Sequence, residues 1–164
     1  DDVSFSGSDL AKATESKNRL LYLSPILTND IHISGVPKVS ITLSSNKPAA
    51  NLSVWLVSLP WQDSEDAKIT DNIITRGWAD PKNHKSITQE EDLVPEQFYT
   101  INFDLQPDDQ IIKAGQQIGL MIFSSDQEYT IHPKPGTELT IELGTTKLFL
   151  PIVGGERAFK AATN

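Results

Sequence analysis

A chain of 164 residues has the size of a single domain and enough length to bury one hydrophobic core. Its 22 acidic against 14 basic residues leave a net charge of -8, which argues against nucleic acids and anionic membranes as partners, because phosphates call for clustered Lys and Arg. It has no Cys, which excludes disulfides and thiolate metal sites and suits a cytoplasmic location, and no apolar run nears the ~20 residues of a membrane span.

Residues 1–18 read as a polar lead-in. The opening DDVSFSGSD lacks the basic start and apolar stretch of a signal peptide. Lys12, Lys17 and Arg19 are interspersed with Asp9 and Glu15 and read as a solvated face. Residues 8–17 permit a short helical turn capped by Ser8.

From residue 19 on, period-two alternation takes over. The first strand is expected over 19–24. In 27–34, Leu27, Ile31 and Ile33 share one face while Asp30 and His32 share the other; in 36–45, Val39, Ile41 and Leu43 alternate with Lys38, Ser40 and Thr42. Ser34-Gly35-Val36-Pro37 and Ser45-Asn46-Lys47-Pro48 mark turns. Residues 51–59 are apolar on both faces, so a central strand or one with a covered outer face is expected. Trp61 follows in a loop, and the acidic stretch Asp63, Glu65, Asp66, Asp71 reads as solvated loop. It lacks the alternating ligands and central Gly of an EF-hand.

Weaker strands are expected over 72–79, which holds Trp78, and over 128–132 and 138–143. Residues 99–105 alternate cleanly, and Pro107-Asp108-Asp109 reads as a turn. Ala114-Gly115 and Pro133-Lys134-Pro135-Gly136 are further breaks. Residues 117–125 and 146–152 are apolar on both faces and read, like 51–59, as central or covered strands. Pro37 and Pro151 fall at strand edges or ends, where a missing N–H is tolerated. Residues 156–164 show no periodicity and read as a disordered terminus or an edge strap. About ten short strands separated by turns, with no Cys–Trp–Cys pattern, point to an all-β jelly-roll sandwich.

The chain holds no catalytic constellation. There is no Gly-x-Ser-x-Gly elbow, and the serines, such as Ser44-Ser45 and Ser124-Ser125, sit in strands or plain turns, away from any base. Ser124-Ser125-Asp126 reads as a strand end whose side chains bond local backbone N–H groups. His32, His84 and His132 show no ligand spacing and read as surface or edge histidines. No catalytic residue, cofactor or metal ligand is assigned.

Two stretches carry a specific likeness: LTNDIHISGVPKVSITLSS (27–45) with NLSVWLVSL after it, and residues 99–143, with LFLPIVGG ending at Gly155. Together they resemble the C-terminal domain of Xaa-Pro dipeptidyl-peptidases of lactic acid bacteria, related to domains of bacterial cocaine esterases and α-amino-acid ester hydrolases. The resemblance covers roughly residues 19–155. It implies a galactose-binding-domain-like jelly roll, a lead-in over 1–18 and a tail over 156–164. It further implies a cytoplasmic, homodimeric parent whose α/β-hydrolase domain releases Xaa-Pro dipeptides through a Ser–Asp–His triad. That hydrolase domain is absent from this sequence, so no triad residue is carried over.

The first expectation is therefore a non-catalytic domain that packs on the hydrolase domain of its own polypeptide and shapes substrate access. The second is a carbohydrate- or ligand-binding module, drawn from the jelly roll and from Trp55, Trp61 and Trp78, since an aromatic face suits the apolar face of a sugar. Trp61 and Trp78 are the candidate interface or ligand residues. A free-standing esterase or peptidase has no residues to support it.

Overall fold

The computed structural model describes residues 5–62, 64–132 and 134–164. Helix α1 (Gly7–Lys12) precedes ten strands: β1 (Arg19–Leu23), β2 (Ile31–Gly35), β3 (Lys38–Ser45), β4 (Leu52–Leu59), β5 (Ile73–Ala79), β6 (Tyr99–Asp104), β7 (Asp108–Ile112), β8 (Gln117–Phe123), β9 (Leu139–Ile141) and β10 (Lys147–Phe149). Helix α2 (Gly155–Thr163) follows them. No helix among the described residues is long and apolar enough to cross a membrane.

The strands pair antiparallel throughout. One sheet runs β1-β8-β4-β5, a second runs β10-β3-β6 with β9 also on β3, and β2-β7 form a ribbon. Alternation decides which side chains meet between the sheets. Ile41 and Leu43 of β3, Val54 and Leu56 of β4, and Leu120 and Ile122 of β8 join one buried cluster. The mostly β, two-sheet arrangement bears out the all-β sandwich.

Every residue of β4 is buried, and two different covers explain it. Leu52, Val54 and Leu56 face the core between the sheets. Trp55, Val57 and Leu59 face outward, into a second cluster made with Leu10 and Ala11 of α1 and with Met121 and Phe123 of β8. β8 is likewise central, so two of the three doubly apolar segments are placed as expected. The third is not. β10 is an edge strand with Lys147 and Phe149 exposed, because only its inward residue Leu148 meets the core.

Gly77 of β5 lies close against Phe103 and Leu105. A Cβ there would lie 2.5 Å from Leu105 Cδ2 and 3.1 Å from the Leu105 Cα. Since backbone cannot swing aside as a side chain can, Gly77→Ala is expected to destabilise the domain by about 1–3 kcal/mol, read from the urea midpoint at unchanged slope.

Several expectations are corrected. Asp108–Ile112, whose first two residues read as a turn, is β7, with Ile33 opposite Gln110 and Ile31 opposite Ile112. Its acidic start disfavours a strand locally, and the β2 ladder overrides that preference. Residues 128–132 are not a strand. The Asp126 carbonyl accepts from the N–H groups of both Tyr129 and Thr130 (2.9 Å each), which curls the chain there. The helical turn is capped by Ser6, not Ser8. Ser6 Oγ accepts from Asp9 N at 3.1 Å while Asp9 Oδ2 accepts from Ser6 N at 3.1 Å, a reciprocal pair that Ser8, with Ala11 three residues on, cannot make. Donation from the Ser6 hydroxyl to Asp9 Oδ2 at 2.7 Å, and then that from Ser6 N, holds the Asp9 carboxyl below its usual range.

The tail is helical too. Glu156 and Lys160 pair at 2.6 Å one turn apart, Phe159 and Ala162 pack inward, and Thr28 N donates to Ala162 O at 2.7 Å. Two inward residues are too few to register as a period.

Candidate interaction surfaces

The first surface is built on the outer face of the β1-β8-β4-β5 sheet. In β4 and β5, Trp55 stands opposite Arg76 and Ser53 opposite Trp78, so alternation puts Trp55, Arg76 and Trp78 on one face. The loop after β8 supplies Asp126, wholly buried, whose Oδ2 accepts from the indole N–H of Trp55 at 2.9 Å and of Trp78 at 2.8 Å. The same loop supplies Tyr129, stacked on Trp78 with ring centroids 5.5 Å apart at 29°. The Arg76 guanidinium lies against two rings, 4.7 Å from the Trp55 centroid and 4.5 Å from that of Tyr129. Trp55 also meets Phe123 edge-on at 5.4 Å. Tyr129 is half exposed, so the stack reaches solvent.

The second surface is a cleft on one side of the sandwich. The β5–β6 side is closed: Gln106 N donates to Arg76 O at 2.8 Å and Thr75 Oγ1 to Gln106 O at 2.6 Å. On the other side, among the described residues, no hydrogen bond joins β1 to β9 or β10. Two hollows of about 790 and 720 Å³ lie there and share Tyr22 and Leu143 as walls. Leu20, Leu120, Leu148 and Phe159 of α2 add apolar lining. The Tyr22 hydroxyl is buried there with no partner among the described residues, and burial raises its pKa. An unsatisfied buried hydroxyl weakens a fold, so Tyr22→Phe is expected to leave stability unchanged or to raise it by about 1 kcal/mol, measured by thermal denaturation.

The tryptophans singled out from sequence fall in different places. Trp55 is core. Trp61, after the cis Leu59–Pro60 peptide, is half buried against the outer cluster with Ile69 and Ile73. Its loop is fixed by Asn72, which donates to Pro60 O at 2.9 Å and accepts from Gln62 N at 2.9 Å. Trp78 is partly buried in the Asp126 network. Asp126 departs from expectation, because its side chain takes indole N–H groups instead of local backbone ones. Arg76 and Tyr129 escaped sequence reading, although Arg76 and Trp78 at a two-residue spacing on a strand opposite Trp55 were a usable signal.

His32 pairs with Asp109, and His84 lies 4.4 Å from the Tyr99 ring. His132 is exposed. Asp63 lies outside the described residues. Glu65 and Asp66 are exposed, and Asp71 Oδ2 accepts from Lys68 N at 2.9 Å. Among the described residues no group of three His, Asp or Glu could hold a metal ion.

Residues 1–162 match a family model described as the X-Pro dipeptidyl-peptidase C-terminal non-catalytic domain. The chain belongs to this family. As an X-Pro dipeptidyl-peptidase C-terminal domain it carries no reaction of its own, which agrees with the missing nucleophile and base. It is 59% identical over 155 residues to a protein of Rhodopirellula baltica named as a Xaa-Pro dipeptidyl-peptidase, covering 94% of this chain and 25% of that one. A Bacillus cereus protein of the same name is 45% identical over 139 residues, covering 85% of this chain and 22% of its own. The domain thus spans about a quarter of the length of the curated relatives it matches. Among solved structures, an α-amino acid ester hydrolase superposes with a TM-score of 0.67 at 17% identity, over 83% of this chain and 26% of that one. At that identity the likeness is one of fold.

Proposed function

We propose that this domain serves a serine Xaa-Pro dipeptidyl-peptidase. The parent releases Xaa-Pro dipeptides from peptide N-termini with an α/β-hydrolase domain in the same polypeptide. This domain packs on that catalytic part and shapes access to it. The parent is a cytoplasmic homodimer, the domain is a jelly roll of the galactose-binding type, and neither nucleic acid, membrane, metal nor cofactor takes part. The observation that carries this reading is the family match over residues 1–162, joined to relatives about four times as long. Deleting the domain from the parent enzyme tests it. Lower thermal stability with altered kcat or KM is expected; unchanged stability, kcat and KM would overturn the reading.

A second reading has one observation in its favour. Tyr129, stacked on Trp78, is half exposed, and a sugar-binding site needs aromatic surface within reach of solvent. Heat on calorimetric titration with oligosaccharides, lost in Tyr129→Ala, would support it, and no heat would remove it.

A further inference from the structure

We infer that the open side of the sandwich, between β1 and the β9–β10 edge, is where the catalytic part of the parent polypeptide docks. This rests on the reading above and adds the face.

Among the described residues β1 pairs only with β8, so its other edge offers backbone N–H and C=O groups with no strand beside them. Natural sheets guard such edges with charge, proline or a cover. The sequence of β1, RLLYL, has one charge, Arg19, and its guanidinium is tied up donating to Leu10 O and Ala13 O at the end of α1. Beside the edge lies the cleft, whose floor is core. Its rim exposes large apolar groups: Leu143 is 61% and Phe149 55% exposed, and Leu23 is half exposed. An unguarded edge beside an exposed apolar rim is the pattern of a covered surface.

Chain length and charge choose the occupant. About three quarters of each relative's length lies outside the part matched here. The charged residues lining the two hollows are Lys17, Arg19, Glu138 and Glu156, two of each sign, so the cleft does not share the chain's net charge of -8 and accepts a neighbour of either sign. Two copies of this domain, each at -8, repel one another, which favours the catalytic part over a second copy.

The test uses the full-length parent. This domain has no Cys, so Leu143→Cys and Phe149→Cys at the rim, and Ile131→Cys and Ile87→Cys at sites 89% and 88% exposed, each introduce one thiol into it. Each variant is labelled with a thiol-reactive mass tag, in native buffer and in denaturant. Labelling about tenfold slower at both rim sites than at Ile131 and Ile87, with equal rates in denaturant, is expected. Fast labelling at the rim with protection at Ile131 and Ile87 would overturn the inference and keep the docking reading. Fast labelling everywhere would overturn the inference, and the deletion experiment would then decide the docking reading by itself. Rim protection that fades on dilution would give the cleft to a second copy and overturn the inference.

Discussion

Replacing Asp126 with Ala is expected to lower the domain's stability by about 3 kcal/mol or more, a fall in Tm of roughly 6–12 °C at this chain length. Oδ2 of Asp126 is the acceptor for the indole N–H groups of both Trp55 and Trp78. Trp55 is wholly buried, so its N–H has no water to turn to, and an orphaned donor of this kind costs about 1–3 kcal/mol. Loss of the charged acceptor and the void left by the side chain add to this. Trp78, partly buried, can recover some of its bond from solvent. Asp126→Asn separates acceptance from charge. Its amide oxygen can still take both indoles, so a loss of about 1 kcal/mol is expected. Equal losses in the two variants would mean that the negative charge matters more than the acceptor. A neutral Asp126→Ala would show that the network holds nothing in place. Either variant that loosens Asp126 also frees Trp78 and Tyr129, so the stack should lose its order with the network. Near-ultraviolet circular dichroism of the aromatic groups checks that link.

The same cluster shows where sequence stops being informative. Strands were legible where alternation was strong: β3 and β6 follow from Val39, Ile41 and Leu43 and from Tyr99, Ile101 and Phe103, because one buried face fixes a period of two. The doubly apolar β4 was legible as a covered strand, but not what covers it, since α1 has only Leu10 and Ala11 to show. β7 was hidden by Asp108 and Asp109, whose strand conformation is imposed by the distant β2 ladder, where Gly35 lies opposite Asp108 and Ser34 opposite Asp109. The buried Asp126 was hidden for a related reason. A carboxylate after two serines looks like a turn until two tryptophans, 71 and 48 residues away, are brought onto it. The open cleft is further still from sequence, because it depends on which edge strands fail to meet.

Leu10→Asp is expected to detach α1 from the sheet. Leu10 is 2% exposed and packs in the outer cluster with Trp55, Met121 and Phe123. Shortening such a residue to Ala costs about 2–5 kcal/mol, and placing an unpaired carboxylate against an apolar cluster costs more. A helix of six residues has no stability of its own to hold it in place, so its docking is set by Leu10, Ala11 and the Arg19 clamp on Leu10 O and Ala13 O. Its approach is also tight: a Cβ on Gly7 would come within 2.5 Å of Trp55 Cζ2 and 3.2 Å of Asp126 Oδ1. The expected result is rapid amide exchange over residues 7–12 and a red shift of tryptophan emission, with the β4–β8 ladder still protected. Loss of protection in that ladder too would make α1 part of the cooperative core instead of a strap over it. The family match starts at residue 1 and so spans α1. Because α1 covers Trp55 and sits beside Asp126, a detached helix would also unsettle the Trp78–Tyr129 surface, and the two variants should then share one spectral signature.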